Sequence, residues 1–250
     1  MNKVIVRADD LGYSRGVNLG IADAVNKGIV TSVGGMTNMP EKESGLQMLT
    51  KKNVCLGLHT NICVGKPLSD PALIPSIVQP NGEFKSSKTY RSAKQDFVNL
   101  HEVILEIEAQ YQRFVELTGK KPSYFEGHAV ASGNFNKALE IVAQLHGCSF
   151  LPFDPGCSVP FKNSRVFLEM DSSNPVYDPA AFLKELAQKK YRDKAIPVMV
   201  CHPGYLDAFI LKTSSLTLPR TREVEMACSD EIRQWIEENG VEIISFDDVR

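Results

Sequence analysis

Short apolar runs with no strict polar alternation recur along this chain, and segments of helical periodicity separate them. Val4-Ile5-Val6 is the first of these runs; 54–59, 196–201 and 241–246 are others of the same kind. A strand that reads apolar on both faces belongs in a parallel sheet. Parallel strands cannot be joined by tight hairpins and need crossover connections, usually helices. The helical segments carry their own punctuation. Ser14 is a candidate N-cap, Val17, Ile21, Ala24 and Val25 recur at helical spacing, and Gly28 ends the run. Asp178-Pro179 reads as an N-cap with proline at the first helical position.

In order, the pattern predicts a strand from Val4, a helix from Ser14, a strand over 31–36, a helix over 41–52 and a strand over 54–59. A helix over 92–117, a strand over 124–128 and a helix from Asn134 to about Leu145 follow. Two strands come next, 149–152 and 165–170, then a helix to about Tyr191 and a strand over 196–201. A helix over 223–239 and a strand over 241–246 complete the chain. The alternation of strand and helix predicts an α/β fold, with mainly parallel strands closed or nearly closed into a barrel. A length of 250 residues suits one such domain, and no linker composition, repeat or low-complexity tract divides it. The Pro-, Gly- and Ser-rich stretch 65–90 is too long for a plain connection and is expected to be a loop across the mouth of a site.

Polar residues follow the apolar runs. Asp9 and Asp10 close the first strand, His59 the third, His128 the fourth, and His202 follows the run at 196–201. In a parallel barrel all strand carboxyl ends lie on one face, where active sites are built. His101 and His146 instead lie on helical patterns. One carboxylate with two imidazoles suits a divalent cation and leaves a position open for water, and these ligand types do not select among zinc, manganese, cobalt and nickel. Neighbouring residues on a strand point oppositely, so one aspartate can hold a metal while the other takes a proton. The plainer alternative is that one starts a turn with Gly12 and the other caps the next helix; each histidine, taken singly, can equally be a hydrogen-bonded structural residue.

Composition excludes several classes. A net charge of −2 gives no electrostatic case for nucleic acid or an anionic membrane. No basic region followed by an apolar one opens the chain, and no apolar run is long enough to span a bilayer. The six cysteines form no C-x-x-C pair, so reduced thiols and a cytoplasmic location are expected.

Ala8-Asp9-Asp10-Leu11-Gly12, Leu58-His59, Gly65-Lys66-Pro67-Leu68, Asn81-Gly82-Glu83-Phe84, Glu126-Gly127-His128 and Cys201-His202-Pro203-Gly204-Tyr205 resemble the YdjC/ChbG-like carbohydrate deacetylase family, in that family's order and over nearly the whole chain. The resemblance implies a distorted α/β barrel related in layout to polysaccharide deacetylases. It implies one divalent metal ion, magnesium or zinc, held by Asp10, His59 and His128, with Asp9 as general base. The implied reaction is removal of acetyl groups from N-acetylated sugars such as chitooligosaccharides, by a homodimer. One departure is visible: the histidine cluster that usually follows the fourth strand is reduced here to His128, followed by Ala129-Val130-Ala131-Ser132.

His202 is the candidate acid for the leaving amine. Tyr205, Arg220 and Phe84 are candidate sugar contacts. The competing expectations are another metal-dependent hydrolase, such as a phosphoesterase, which would call for more basic groups near the metal, and a sugar-binding protein without activity.

Overall fold

The structure is a computed structural model and describes residues 2–51, 53–154, 156–191 and 193–249. Strand β1 (Asn2–Leu11) leads into α1 (Arg15–Asn26), whose N-cap Ser14 accepts the Val17 N–H at 3.3 Å. Then come β2 (Ser32–Gly35), α2 (Lys42–Met48), β3 (Cys55–Thr60), a 3-10 turn at Pro71–Leu73, α3 (Ser87–Ser92) and α4 (Leu100–Thr118). The middle of the chain adds β4 (Tyr124–Gly127), α5 (Gly133–Leu145), β5 (Ser149–Phe150), β6 (Ser158–Phe161) and β7 (Ser164–Glu169). The last part holds α6 (Pro179–Gln188), β8 (Ile196–Cys201), α7 (Ala208–Thr213), α8 (Leu218–Cys228), α9 (Asp230–Glu238) and β9 (Val241–Ile244).

The strands form one sheet in the order β5-β4-β3-β2-β1-β8-β7-β6, curled into a nearly closed barrel. Every pairing is parallel except the β6–β7 hairpin. β1 is the hub: it pairs with β8 through Ile5–Ala8, with β9 through Asn2–Ile5, and with β2 from Arg7 onward.

Strand alternation sorts the side chains. Val4, Val6 and Ala8 join the buried layer shared with α1 and α6, whereas Ile5, Cys55, Tyr124, Val198 and Val200 form a separate buried cluster. Two to four residues further along each of these strands the character changes, from Ile5 to Arg7 and Asp9, from Cys55 to His59, from Tyr124 to Glu126 and His128, and from Val200 to His202. The barrel is therefore apolar at one end and densely polar at the carboxyl ends of its strands.

Three sequence expectations are corrected. The long helix begins at Leu100, not at 92, because Asn99 accepts the N–H groups of His101 and Glu102 as its cap. Asp96 holds the preceding turn by accepting from Val98 N–H at 3.1 Å and from Ser132 Oγ at 2.9 Å. Ser132, rather than Asn134, caps α5 by accepting the Phe135 N–H at 3.0 Å. The last helical pattern is two helices, since extended Ser229 ends α8 and caps α9. β6 and α7 had no distinct sequence signal.

The 65–90 stretch folds back against α4, and its Ser87 reaches the wall of the cleft at the barrel mouth. Glu106 accepts the N–H groups of Leu68 and Ser69 at 3.1 and 2.9 Å, and Glu102 accepts that of Ser76 at 2.6 Å. Ile74, Ile77, Phe84 and Tyr90 are buried in the layer shared with α4 and α5. No helix among the described residues is long and apolar enough to cross a membrane.

Candidate active site at the carboxyl ends of the strands

A shift in the β1–β2 register between Ala8 and Leu11 marks a bulge, and within it Asp10 has φ 78°. A non-glycine residue in that region costs on the order of 1–3 kcal/mol and persists where surrounding contacts enforce it. The twist frees Asp10 from alternation, so both carboxylates enter the same polar layer. Arg220, from α8, donates to Asp10 Oδ2 at 2.6 Å and is itself 2 % exposed. That leaves Asp10 Oδ1 aimed at the histidines, 3.1 Å from His128 Nδ1 and 3.3 Å from His59 Nε2. The two imidazole nitrogens face each other at 2.9 Å.

These three atoms meet the demands of a cation site. Asp10 Oδ1 is buried and has no well-aligned hydrogen-bond donor among the described residues. Ligands about 2.1 Å from one cation and at right angles lie about 3.0 Å apart, close to the three separations. Burial opposes the charged form of Asp10, but Arg220 and His128 overcome it and hold the carboxyl well below its usual range. Burial also opposes protonation of His128, yet Asp10 raises it to about 9, so a cation bound here would displace a proton.

Beside this triangle lies a second layer. Arg7 donates to Asp9 Oδ2 at 2.6 Å and lies 3.6 Å from Glu126 Oε2. Glu126 Oε1 in turn contacts His59 Nδ1. Asp9 Oδ1 is buried without a hydrogen-bond partner among the described residues, and burial raises Asp9 despite the pull of Arg7. Gly34 of β2 makes room for the cluster, since a Cβ there would lie 2.9 Å from Asp9 Oδ1 and 3.1 Å from both Glu126 Oε1 and His59 Cβ.

His202 follows β8, and its backbone N–H donates to Glu223 Oε2 at 2.7 Å. Glu223 also accepts the Tyr177 hydroxyl at 2.9 Å, and burial pushes its carboxyl up to about 7. The His202 Nδ1 is buried without a partner among the described residues; the surrounding protein lowers this imidazole to about 4 against the pull of Asp10 and Asp9. The turn after it is fixed by close packing on α1, where a Cβ on Gly20 would lie 2.4 Å from Gly204 Cα.

Asp10, His128 and His202 line a cleft of about 670 Å³ whose walls include Tyr13, Arg91, Asn174, Ser214 and Thr217. The structure thus brings Asp9, Asp10, His59, His128 and His202 together. It does not do so for the candidate sugar contacts. Phe84 is 2 % exposed and packed in the core. Tyr205 turns its hydroxyl to Asp23 Oδ2 on α1, at 2.8 Å, and is not part of the cleft wall. Arg220 reaches the cleft but is committed to Asp10. Sequence reasoning offered Arg7 as a basic neighbour that tunes Asp9, and it missed the roles of Glu126, Glu223 and Gly34. For Glu126 a signal existed, since it lies two residues before a strand-end residue and so shares its face.

The fold and site define a parallel α/β barrel with a carboxylate–imidazole donor set at the carboxyl ends of its strands. The chain belongs to the YdjC-like protein family, whose profile matches residues 3–238. It is 34% identical over 251 residues to carbohydrate deacetylase 2 of Listeria innocua, with 99% of this chain and 98% of the relative covered. To chitooligosaccharide deacetylase of Proteus mirabilis it is 31% identical, with 98% of each covered. Among solved structures, a protein of Enterococcus faecalis described as a candidate for cellobiose-phosphate cleavage superposes with a TM-score of 0.82 at 21% identity, covering 99% of this chain and 98% of that one. A family 4 carbohydrate esterase from Streptomyces lividans superposes with a TM-score of 0.54 at 10% identity, covering 99% and 95%, and shares the fold.

Proposed function

We propose that this chain is a metal-dependent hydrolase that removes acetyl groups from N-acetylated sugars of the chitooligosaccharide type. One observation carries the reading: Asp10 Oδ1, His59 Nε2 and His128 Nδ1 converge at 2.9–3.3 Å, with Asp10 and His128 lining a hydroxyl-rich cleft and Asp9 beside His59. The names of the relatives, carbohydrate deacetylase and chitooligosaccharide deacetylase, support the substrate class. Asp10, His59 and His128 would hold one divalent ion, magnesium or zinc. Such an ion supplies Lewis-acid polarisation of an amide carbonyl and of a water.

The chain's own residues do the rest. Asp9 accepts the proton of the attacking water; burial raises its basicity while Arg7 fixes its orientation. His202, kept neutral at rest by burial, relays to the departing nitrogen the proton that Asp9 takes from the water. Its protonated form is a strong acid because burial disfavours the charge, and negative charge growing on the acyl oxygen raises its proton affinity as the reaction proceeds. Arg220 and Glu126 hold the donor residues, and the hydroxyls of Ser214 and Thr217 suit a sugar face. Six free cysteines are the reason to place the reaction in a reducing compartment.

A phosphoesterase would need cations free to meet a phosphate. Arg7 and Arg220, which contact Asp9, Glu126 and Asp10, are committed to carboxylates, and Arg91 and Arg222 on the cleft wall are the cations such a reading would use. Acetate release from N-acetylated chitooligosaccharides, measured with and without a chelator, tests the reading. Chelator-sensitive release that His59→Ala abolishes is expected. Release unaffected by chelation contradicts metal dependence, and no release from any N-acetylated sugar contradicts the activity.

A further inference from the structure

We propose that Glu126 is the positioning residue for His59: it accepts the Nδ1 proton, which leaves the Nε2 lone pair turned toward Asp10 and His128. The proposal rests on the metal-site reading above and extends it to a residue that never touches the cleft.

The sheet itself makes the pair. His59 and Glu126 are Cα partners in the parallel β3–β4 ladder. The ladder continues past them, with the His128 N–H donating to Thr60 O at 2.8 Å. Directly paired residues project to the same face, so the register obliges imidazole and carboxylate to meet. Both are 3 % exposed, and Glu126 Oε1 contacts His59 Nδ1. An imidazole that holds a cation through one nitrogen carries its proton on the other only. An ionised carboxylate can only accept, so the nitrogen beside it must be the one that donates. The opposite nitrogen is then a lone-pair donor, and it is the one 3.3 Å from Asp10 Oδ1.

Arg7 keeps Glu126 in the accepting form. Its guanidinium lies 3.6 Å from Glu126 Oε2 and 2.6 Å from Asp9 Oδ2, so one cation serves two carboxylates of different duty. Asp9, His59 and Glu126 also lie close enough to form a second donor set. Arg7 already supplies the positive charge there, and the His59 nitrogen on that side is occupied by Glu126. The geometry therefore assigns this cluster to orientation and predicts one ion per chain, not two.

The test uses full-length wild type, Glu126→Gln, Glu126→Ala and His59→Ala. Zinc affinity and stoichiometry are read by competition with a chromophoric chelator, and the His59 Nδ1 proton is read by NMR of the ¹⁵N-labelled, zinc-loaded protein. Wild type should bind one zinc and show a slowly exchanging Nδ1 proton. Glu126→Ala should lose that proton signal and weaken zinc binding by about 10–100-fold. Glu126→Gln, whose amide oxygen can still accept, should keep the signal and recover part of the affinity. Glu126→Ala with affinity within about threefold of wild type, Glu126→Gln as impaired as Glu126→Ala, or two zinc ions per chain would overturn the proposal. Should Glu126→Ala fail to fold, the Nδ1 signal in Glu126→Gln decides alone. Wild type that binds no zinc, or His59→Ala that binds it as wild type does, overturns the metal site itself instead.

Discussion

Replacing Glu223 by glutamine tests how the turn carrying His202 is held. Glu223 is fully buried and accepts two hydrogen bonds, from His202 N–H at 2.7 Å and Tyr177 Oη at 2.9 Å. Burial raises its pKa from 4.5 to about 7. A carboxyl with a raised folded-state pKa binds its proton more tightly in the folded chain than in the unfolded one. Its contribution to stability is complete below about pH 4.5 and is lost as pH rises through 7. A shift of about 2.5 units at 1.36 kcal/mol each corresponds to about 3 kcal/mol. Glutamine is shaped like the protonated acid and does not titrate. Urea unfolding of wild type and Glu223→Gln at several values between pH 4.5 and 8 isolates this group, because other titrating residues cancel in the difference. The variant should gain about 3 kcal/mol relative to wild type over that range. A difference that is flat with pH, or that moves in favour of wild type as pH rises, would refute the reasoning.

Two further substitutions probe the packing of the site. Gly34→Ala places a methyl 2.9–3.1 Å from Asp9, Glu126 and His59; chemical denaturation should show a loss of about 1–3 kcal/mol, the usual cost of overpacking, and turnover should fall more than substrate binding. Arg220→Met leaves Asp10 buried without its cation, so the metal-free protein should lose about 3–5 kcal/mol, and added divalent ion should narrow that deficit in a thermal melt.

The strand-end positions were legible because the apolar runs are short and end abruptly in charge. Asp9, His59 and His128 each stand four residues beyond a residue buried in the apolar cluster of the barrel, Ile5, Cys55 and Tyr124. The intervening positions, Arg7 and Glu126, share the same face, and only Glu126 went unassigned from the sequence. Asp10 was harder, because its place depends on a bulge and a positive φ that strand alternation does not anticipate. Phe84 and Tyr205 lie away from the cleft for a different reason. Their surroundings are tertiary: Phe84 packs into the layer shared with α4, and Tyr205 is carried onto α1 by the Gly20–Gly204 contact. Glu223 and Arg220 lie on a helix with no marked apolar face, so nothing in its periodicity announced that both are buried.

The central claim is the division of labour between two adjacent aspartates. Metal content and acetate release of Asp9→Asn and Asp10→Asn, measured on the same preparations, test it directly. Asp9→Asn should retain one ion per chain and lose turnover by about 10²–10⁴, the usual contribution of a general base, whereas Asp10→Asn should lose both. An empty site in Asp9→Asn together with a filled one in Asp10→Asn would contradict the account.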